Sequence, residues 1–432
     1  MTEPTLAVRF LSPRNLLALI AGLGITLGIE LRHPWLLAMG TTALGALLVS
    51  LWQAARMLKS LRVKRRHPSR SFEGEQVPLT LEIENDGSVP CSLILVEDHF
   101  PPGDVWRIRH LIEHPIERDE RLEIHYTGEC NRRRGLYTLG PVKFTARDPL
   151  GLFSRELSIE EFGLLLVYPT AVGLTMTQVL GNGTLAHVGI ETIIRPGTST
   201  DFTGVRPWHA GDSPNTIHWR STARAGQLVV KEFEDEVTTN VTFFLDLGRL
   251  GLTGLGDQTS VEYAIKATAS LARRAIEKGH AVSLYAVGKG TEYTPPGKGQ
   301  RHLLMLLDHL ALLKSQGDVP FLGELQLQVP RLSPGGTVIV VASASTLDAD
   351  ALLPLVAQMR GRRLLPILVL IDDRAFIKLY REQETRHYEA MGLEELARRL
   401  ALEGARVHIV TKAKSQQQAL LQGLEREVIA DG

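Results

Sequence analysis

Between residues 195 and 236 the chain reads RPGTSTDFTGVRPWHAGDSPNTIHWRSTARAGQLVVKEFEDE, and here tryptophan, histidine, arginine and aspartate crowd more closely than anywhere else. Three chemistries compete for these residues. Arginine and aspartate with tryptophan can form bidentate pairs and stacks that tie a long connection onto a neighbouring domain. The same residues, turned outward, can form a recognition surface, because aromatic and arginine side chains dominate the energetics of interfaces. A hydrolytic reading recruits His209 or His218 as base with Asp212 as its orienter, but no nucleophile holds a marked position. If Arg206, Asp212, Trp219 and Arg224 build one buried cluster, they must pair with one another. The acidic run Glu232–Glu236 reads as a solvated strand face.

Nucleotide chemistry fails on spacing. A Walker loop needs GxxxxGK[ST], whereas Gly297-Lys298-Gly299 lacks the hydroxyl residue and follows a proline pair rather than a strand. Gly248, Gly251, Gly254 and Gly256 do lie between a strand pattern and a helix pattern, but not as GxGxxG, and they read as a flexible loop. Lys plus Arg is 48 and Asp plus Glu is 48, so zero net charge argues against nucleic acid as a partner. Two cysteines, Cys91 and Cys130, are too few for a disulfide framework or a Cys-built metal site.

The elements that must position the dense segment follow from periodicity. After about Val237 five apolar runs, VTFFLDLG, AVSLYAVG, TVIVVASAS, LLPILVLID and ARVHIVT, each precede a helical pattern, which predicts a doubly wound parallel sheet. The helical stretches are Ser260–Lys278, Arg301–Lys314, Asp348–Gly361, Leu393–Glu403 and a last one from Ser415 onward. Ligands on such sheets bind at the carboxyl ends of strands, which draws attention to Asp246. From about Phe72 to Pro169 the period shortens to two, with turns at Asn85-Asp86-Gly87, Pro101-Pro102-Gly103 and Asp148-Pro149-Leu150-Gly151, predicting a β-sandwich that acts as a spacer or binding module.

Ahead of this, Leu16–Ile29 and Trp35–Trp52 carry no charge and are separated only by Glu30-Leu31-Arg32-His33-Pro34. They predict a short transmembrane hairpin, with Gly24 and Gly28 as a GxxxG face against a second helix kept slim by Gly40, Ala43, Gly45 and Ala46. Arg9 and Arg14 precede the first run, and Arg56, Lys59, Arg62, Lys64, Arg65, Arg66 and Arg70 follow the second without an acid between them. Both ends are then expected in the cytoplasm, with the basic run also facing anionic headgroups.

The dense segment closely resembles the family known as domain of unknown function 58, whose hallmark is D-F-x-x-x-R, then G-D, then I-x-W-x-x-x-A-R, then an acidic strand. The matching residues are Asp201, Phe202, Arg206, Gly211, Asp212, Ile217, Trp219, Ala223, Arg224, Glu232 and Glu234. GLYTLGPVKFTARDPLGLF, from Gly135 to Phe153, resembles the family's second signature, so the resemblance extends over nearly all of the chain. It implies a membrane-anchored cytoplasmic protein with a β-sandwich and a von Willebrand factor type A-like domain, often encoded beside a MoxR-type AAA+ ATPase and a membrane transglutaminase-like protein. No activity or cofactor comes with it. Asn215 and Thr216 stand where the family commonly has basic residues, and His218 where an aspartate is common.

Type A domains that bind a divalent ion use Asp-x-Ser-x-Ser after the first strand, because a hard cation needs converging oxygens. Here Asp246-Leu247-Gly248-Arg249-Leu250 lacks both hydroxyls, and Val341-Ala342-Ser343-Ala344-Ser345 lacks the aspartate expected nearby. Asp246 is thus a lone remnant, expected to bond to neighbouring backbone.

The resulting division is a transmembrane hairpin over 1–60, a β-sandwich over 61–170, a connection with the signature over 171–236 and a type A-like α/β domain over 237–432. The expected function is a membrane-anchored cytoplasmic interaction or scaffold protein working with a MoxR-type AAA+ ATPase. The alternative is a hydrolase using Asp212, His209 and His218. Asp201, Phe202, Arg206, Trp208, His209, Gly211, Asp212, Trp219 and Arg224 are the candidate binding residues.

Overall fold

A computed structural model describes residues 12–170, 202–209, 212–233, 239–255, 258–372 and 392–410. The chain divides into two compact units, Met1–Tyr168 and Pro169–Gly432.

The first unit opens with helices Pro13–Glu30 and Pro34–Met57. Each begins with proline at its first position, where the missing N–H has no intrahelical partner to lose. Their backbones touch: a Cβ added at Gly24 would lie 2.9 Å from Gly40 Cα, and one at Gly40 2.5 Å from Ile25 N. Glycine is therefore needed on both sides of the contact. Away from it, leucines such as Leu19 and Leu48 are exposed. Among the described residues one helix, Pro34–Met57 with mean hydropathy 1.6, is long and apolar enough to cross a membrane. The first helix carries Arg14, Asn15 and Glu30 at the two ends of its 18 residues.

Ten strands follow: β1 (Leu61–Arg66), β2 (Arg70–Phe72), β3 (Gln76–Asn85), β4 (Ile94–His99), β5 (Arg107–Ile112), β6 (Arg121–Glu129), β7 (Gly135–Leu139), β8 (Val142–Arg147), β9 (Ser154–Ile159) and β10 (Gly163–Tyr168). They form sheets β1-β3-β6, β2-β10-β7 and β5-β4-β8-β9, antiparallel throughout except where β2 meets β10. Strict alternation along β3 sends Leu81 and Ile83 into a core shared with Val96 and Phe144 of the third sheet. Val77 and Leu79 enter a second core with Leu139 and Val167 of the second sheet. Both thiols are buried, and burial pushes each up to about 11, so neither is a reactive thiolate.

The basic run has a structural role as well. It folds as β1, and Arg65 is buried in an ion pair with Asp98 of β4, which also accepts a hydrogen bond from the Tyr126 hydroxyl of β6. Arg65 Nη1 donates to the Glu161 carbonyl at 2.8 Å. Arg62 and Arg66 pair with Asp86 and Glu82. Three of its seven cations, Arg62, Arg65 and Arg66, thus also fasten a strand.

In the second unit, β11 (Phe202–Pro207) and β12 (Val229–Phe233) make an antiparallel pair flanking the helix Trp219–Ala225. Then come β13 (Asn240–Asp246), the small pair β14 (Gly254–Leu255) and β15 (Gln258–Thr259), helix Ser260–Glu277, β16 (Ala281–Val287) and β17 (Thr291–Gly297). Helices Gly299–Leu312 and Phe321–Gln328, β18 (Thr337–Ser343), helix Ala349–Gly361, β19 (Leu365–Ile371), helix Leu393–Leu402 and β20 (Arg406–Val410) follow. The sheet runs β17-β16-β13-β18-β19-β20, parallel except for β17. Numbered along the chain that is 3-2-1-4-5-6, with the order reversing at β13. One face packs Phe244, Val340 and Leu368 against Leu352, Val356 and Leu396. The helix Ser260–Glu277 meets β13, β16 and β18.

The edge strand β17 was not expected, because its Pro295-Pro296 pair argues against a strand. Proline is tolerated at an edge, where no neighbour needs its missing donor. Gly297-Lys298-Gly299 thus does follow a strand, though still without the hydroxyl a phosphate loop needs. The helix expected from Ser415 lies outside the described residues.

Two outcomes follow from buried charge. Asp98→Ala leaves the Arg65 guanidinium buried without its counter-ion, at a cost of about 3–5 kcal/mol, to be read as a lower urea midpoint for the first unit in detergent. His408 of β20 is 3% exposed, neither ring nitrogen has a hydrogen-bond partner, and burial with Arg406 nearby pushes its pKa from 6.5 to about 4. The neutral ring is the stable form, so its contribution is present above pH 6.5 and is lost as pH falls through about 4, by about 3 kcal/mol at that point. Thermal melts between pH 7 and 4.5 should flatten in His408→Leu, and an unchanged slope would assign the acid sensitivity to other groups.

Candidate functional site

The signature segment is held by one charged fork. Arg206, on β11, donates from Nη1 to Asp212 Oδ2 at 2.7 Å and from Nη2 to Asp212 Oδ1 at 2.7 Å. The His209 N–H donates to Asp212 Oδ2 at 2.9 Å, and Arg206 Nη1 lies 3.1 Å from His209 Nδ1. The Arg206 bond first, then the His209 amide, hold the Asp212 carboxyl at about 2, well below its ordinary 3.8. The loop from residue 206 to 212 is thus closed by a pair that stays ionised throughout the physiological range.

Beyond it, Pro214–Thr216 forms a single 3-10 turn and Ile217 bridges to Val230. His218 caps the next helix, its Nδ1 accepting the Ser221 N–H at 3.2 Å, and the helix ends at Gly226 with φ 66°. Thr222 pins the helix to the hairpin: its hydroxyl oxygen accepts the Val229 N–H at 3.1 Å. The Trp208 N–H donates to the Leu228 carbonyl at 2.9 Å. Val229 and Val230 are buried, while Trp219 is 68% exposed and Val205, Trp208 and Leu228 are exposed too.

Of the candidate residues, Arg206, His209 and Asp212 come together. Trp219 and Arg224 do not join them, which corrects the expected four-residue buried cluster. Arg224 lies two positions beyond the pinned Thr222 and hence about 200° round the helix, facing solvent. Trp219 is the first helical residue and its ring is exposed. Phe202 is on β11 by its backbone, and Glu232 is likewise on β12. Asp201, Gly211 and Glu234 lie outside the described residues. Sequence reasoning missed Thr222 and Ser221. Their signal was a histidine followed three and four positions later by hydroxyl residues, as a capped helix start requires.

For hydrolysis, Ser221 Oγ is 2.7 Å from His218 Nδ1, but that nitrogen already serves as the helix cap. Asp212, the expected orienter, gives its oxygens to Arg206 and to the His209 amide. Among the described residues Asp212 is therefore not shown as the orienter of the His218–Ser221 pair.

At the reversal point of the sheet, Asp246 is buried, and burial raises its pKa despite two stabilising donors. Oδ1 accepts the Gly248 N–H at 2.9 Å and Oδ2 the Thr346 hydroxyl at 2.8 Å. Among the described residues no group of three or more metal-ligating side chains surrounds Asp246, and Arg249 lies three residues on. Asp246 instead locks the end of β13 to the loop after β18. Far from it, at the amino ends of β13 and β18, a cavity of about 130 Å³ is lined by Thr242, Ser283, Tyr285, Tyr293 and Arg331.

The family described as "Protein of unknown function DUF58" matches residues 204–365, from the signature segment to the start of β19. A curated relative, "Uncharacterized protein YeaD" of Bacillus subtilis (strain 168), is 24% identical over 262 residues, covering 59% of this chain. The matched stretch spans 63% of that relative's length, less than two thirds. Among solved structures, the CARDB domain of a Pyrococcus furiosus protein is similar over 25% of this chain and 91% of its own, with 13% identity and a TM-score of 0.19. Spo0M, the sporulation control protein of Bacillus subtilis, is similar over 26% and 50%, with 12% identity and a TM-score of 0.16. Similarities at such scores carry no argument about this chain.

The fork gives a titration. Its contribution is present above the ordinary carboxyl value of 3.8 and is lost as pH falls through about 2. Carboxyl-carbon NMR should place the Asp212 midpoint near 2, returning towards 3.8 in Arg206→Gln. Arg224→Ala should shift neither this midpoint nor global stability by more than about 0.5 kcal/mol. A midpoint of 3.8 in the unsubstituted protein would show that the fork does not persist in solution.

Proposed function

We propose that this chain is a membrane-anchored interaction protein whose signature segment is a docking surface for a partner protein. The observation that carries the proposal is Trp219, 68% exposed on a small module whose loop is closed by the Arg206–Asp212 fork. Large aromatic rings held outward on a preorganised support bind at low entropic cost, which is how interface hot spots work. The family resemblance makes a MoxR-type AAA+ ATPase the partner to test. The strand order 3-2-1-4-5-6 with an antiparallel third strand supports reading the α/β domain as von Willebrand factor type A-like, used here as a rigid support without a bound ion.

Anchoring rests on the helix pair. Trp35 and Trp52 are 79% and 53% exposed. They stand 17 residues apart on one helix, about 26 Å, against a hydrocarbon thickness of about 30 Å, so both rings fit at interfaces. With Arg14 and Arg56 at one end of the pair and Glu30 and Arg32 at the other, the two-span, cytoplasm-facing arrangement follows from the excess of basic residues after the second helix.

Full-length protein purified in detergent should retain the MoxR-type ATPase. A Trp208→Ala, Trp219→Ala double variant should lose at least about 2 kcal/mol of binding, roughly 30-fold in affinity, with an unchanged melting temperature. Undiminished capture by a stable double variant would move the interface elsewhere.

A further inference from the structure

The second signature stretch ends in Asp148-Pro149-Leu150-Gly151-Leu152-Phe153, a turn that the proposed docking function leaves without a role. Its construction is unusual for a turn. Asp148 is fully buried, its Oδ1 accepting the Phe153 N–H at 2.6 Å and its Oδ2 the Leu150 N–H at 3.1 Å. The Gly151 N–H donates to the Asp148 carbonyl at 2.8 Å, and the Asp148 N–H to the Phe153 carbonyl at 3.2 Å. Gly151, at φ 67°, takes the left-handed conformation the turn needs. The frame is thus closed by four hydrogen bonds around one carboxylate, yet it presents Leu150, 59% exposed, at its tip. Leu150 thus stands as an apolar side chain on a preorganised support, and its surroundings decide what it meets.

The position of the turn names that surface. The Arg14 guanidinium lies 5.8 Å from the centroid of the Phe153 ring, so the turn sits beside the start of the first helix. The helix Pro34–Met57 touches β8 and β9, the strands on either side of the turn. At that same end the Arg56 guanidinium lies 4.9 Å from the Trp52 ring, the pairing of cation and indole expected at headgroup level. The turn that carries Leu150 therefore lies beside the end of the helix pair where uncharged residues give way to arginine.

We propose that the turn Asp148–Phe153 is a membrane-contacting element: Leu150 enters the interfacial region of the bilayer beside the first helix and seats the β-rich unit on the lipid surface. The occupant of this patch is lipid rather than protein, because the patch begins where the lipid-facing helices end. Asp148 supplies the rigidity, so Leu150 is inserted without ordering a loop on contact. This inference rests on the membrane-anchored reading above.

The test uses the full chain in nanodiscs, with single cysteines carrying an environment-sensitive fluorophore. Native Cys91 and Cys130 are buried and stay unlabelled. Probes replace Leu150, Val105 and Leu48, all exposed. Ile94 of β4 pairs with Ala146 near the turn, and Val105 lies beyond the far end of that strand, about 17 Å further away. The Leu150→Cys probe should be quenched by a shallow lipid-borne quencher and protected severalfold from iodide relative to Val105→Cys. A Leu48→Cys probe in lipid with an iodide-accessible Leu150→Cys probe overturns the turn proposal alone. A Leu48→Cys probe in water overturns the anchoring reading, and the turn proposal with it. Protection of Leu150→Cys from both quenchers places a protein, a second copy or a partner, on the turn and overturns lipid as its occupant.

Discussion

One guanidinium holds the first unit together. Arg65 leaves β1, pairs with Asp98 on β4 of the third sheet, and donates to the Glu161 carbonyl just ahead of β10 in the second. Only Leu58, Lys59 and Ser60 separate β1 from the helix Pro34–Met57. Met57 and Leu58 themselves enter the β core, and the Cys91 thiol donates to the Met57 carbonyl. The anchor helix therefore has no linker. Whatever fixes β1 fixes the orientation of the β-rich region relative to the helix, and the buried ion pair does so with directional bonds that an apolar contact could not supply. Such pairs are poor sources of net stability, because desolvation offsets most of their attraction, and their value lies in specifying one arrangement.

What the sequence made legible divides along the range of the interactions. β13 and β18 read as strands because both faces are buried and the apolar run is continuous. The Arg206–Asp212 fork was legible because its partners are six residues apart in a turn-rich stretch. Arg65 was not, because a basic run after an apolar helix has a sufficient explanation in topology, and its true partner lies 33 residues away. Nor was the bond from Thr346 to Asp246, 100 residues apart, since only the parallel pairing of β13 with β18 brings them together. Trp219 and Arg224 show a different limit: closeness in sequence does not state which way a short helix is turned.

The two regions most suggestive of chemistry are both used to hold backbone. Asp246, at the point where a doubly wound sheet normally meets its ligand, spends its oxygens on Gly248 and Thr346. Asp212, the only carboxylate near His209 and His218 in the described part of the signature, spends its own on Arg206 and an amide. A general acid or base needs a pKa near the working pH, whereas a carboxylate held at about 2 exchanges no protons there. Both aspartates therefore fix backbone.

Fixed shape has a use at surfaces. The signature module places Trp219 and Trp208 on a loop and helix whose ends are each tied, by the fork at one side and by Thr222 at the other. At the far end of the chain's first unit, Asp148 performs the same service for Leu150. In each case a carboxylate that is itself shielded organises backbone amides, and an apolar side chain is left outside. Exposed apolar groups on mobile loops would lose much of their binding free energy to ordering, whereas on closed loops they keep most of it. The same device thus serves both of these apolar tips.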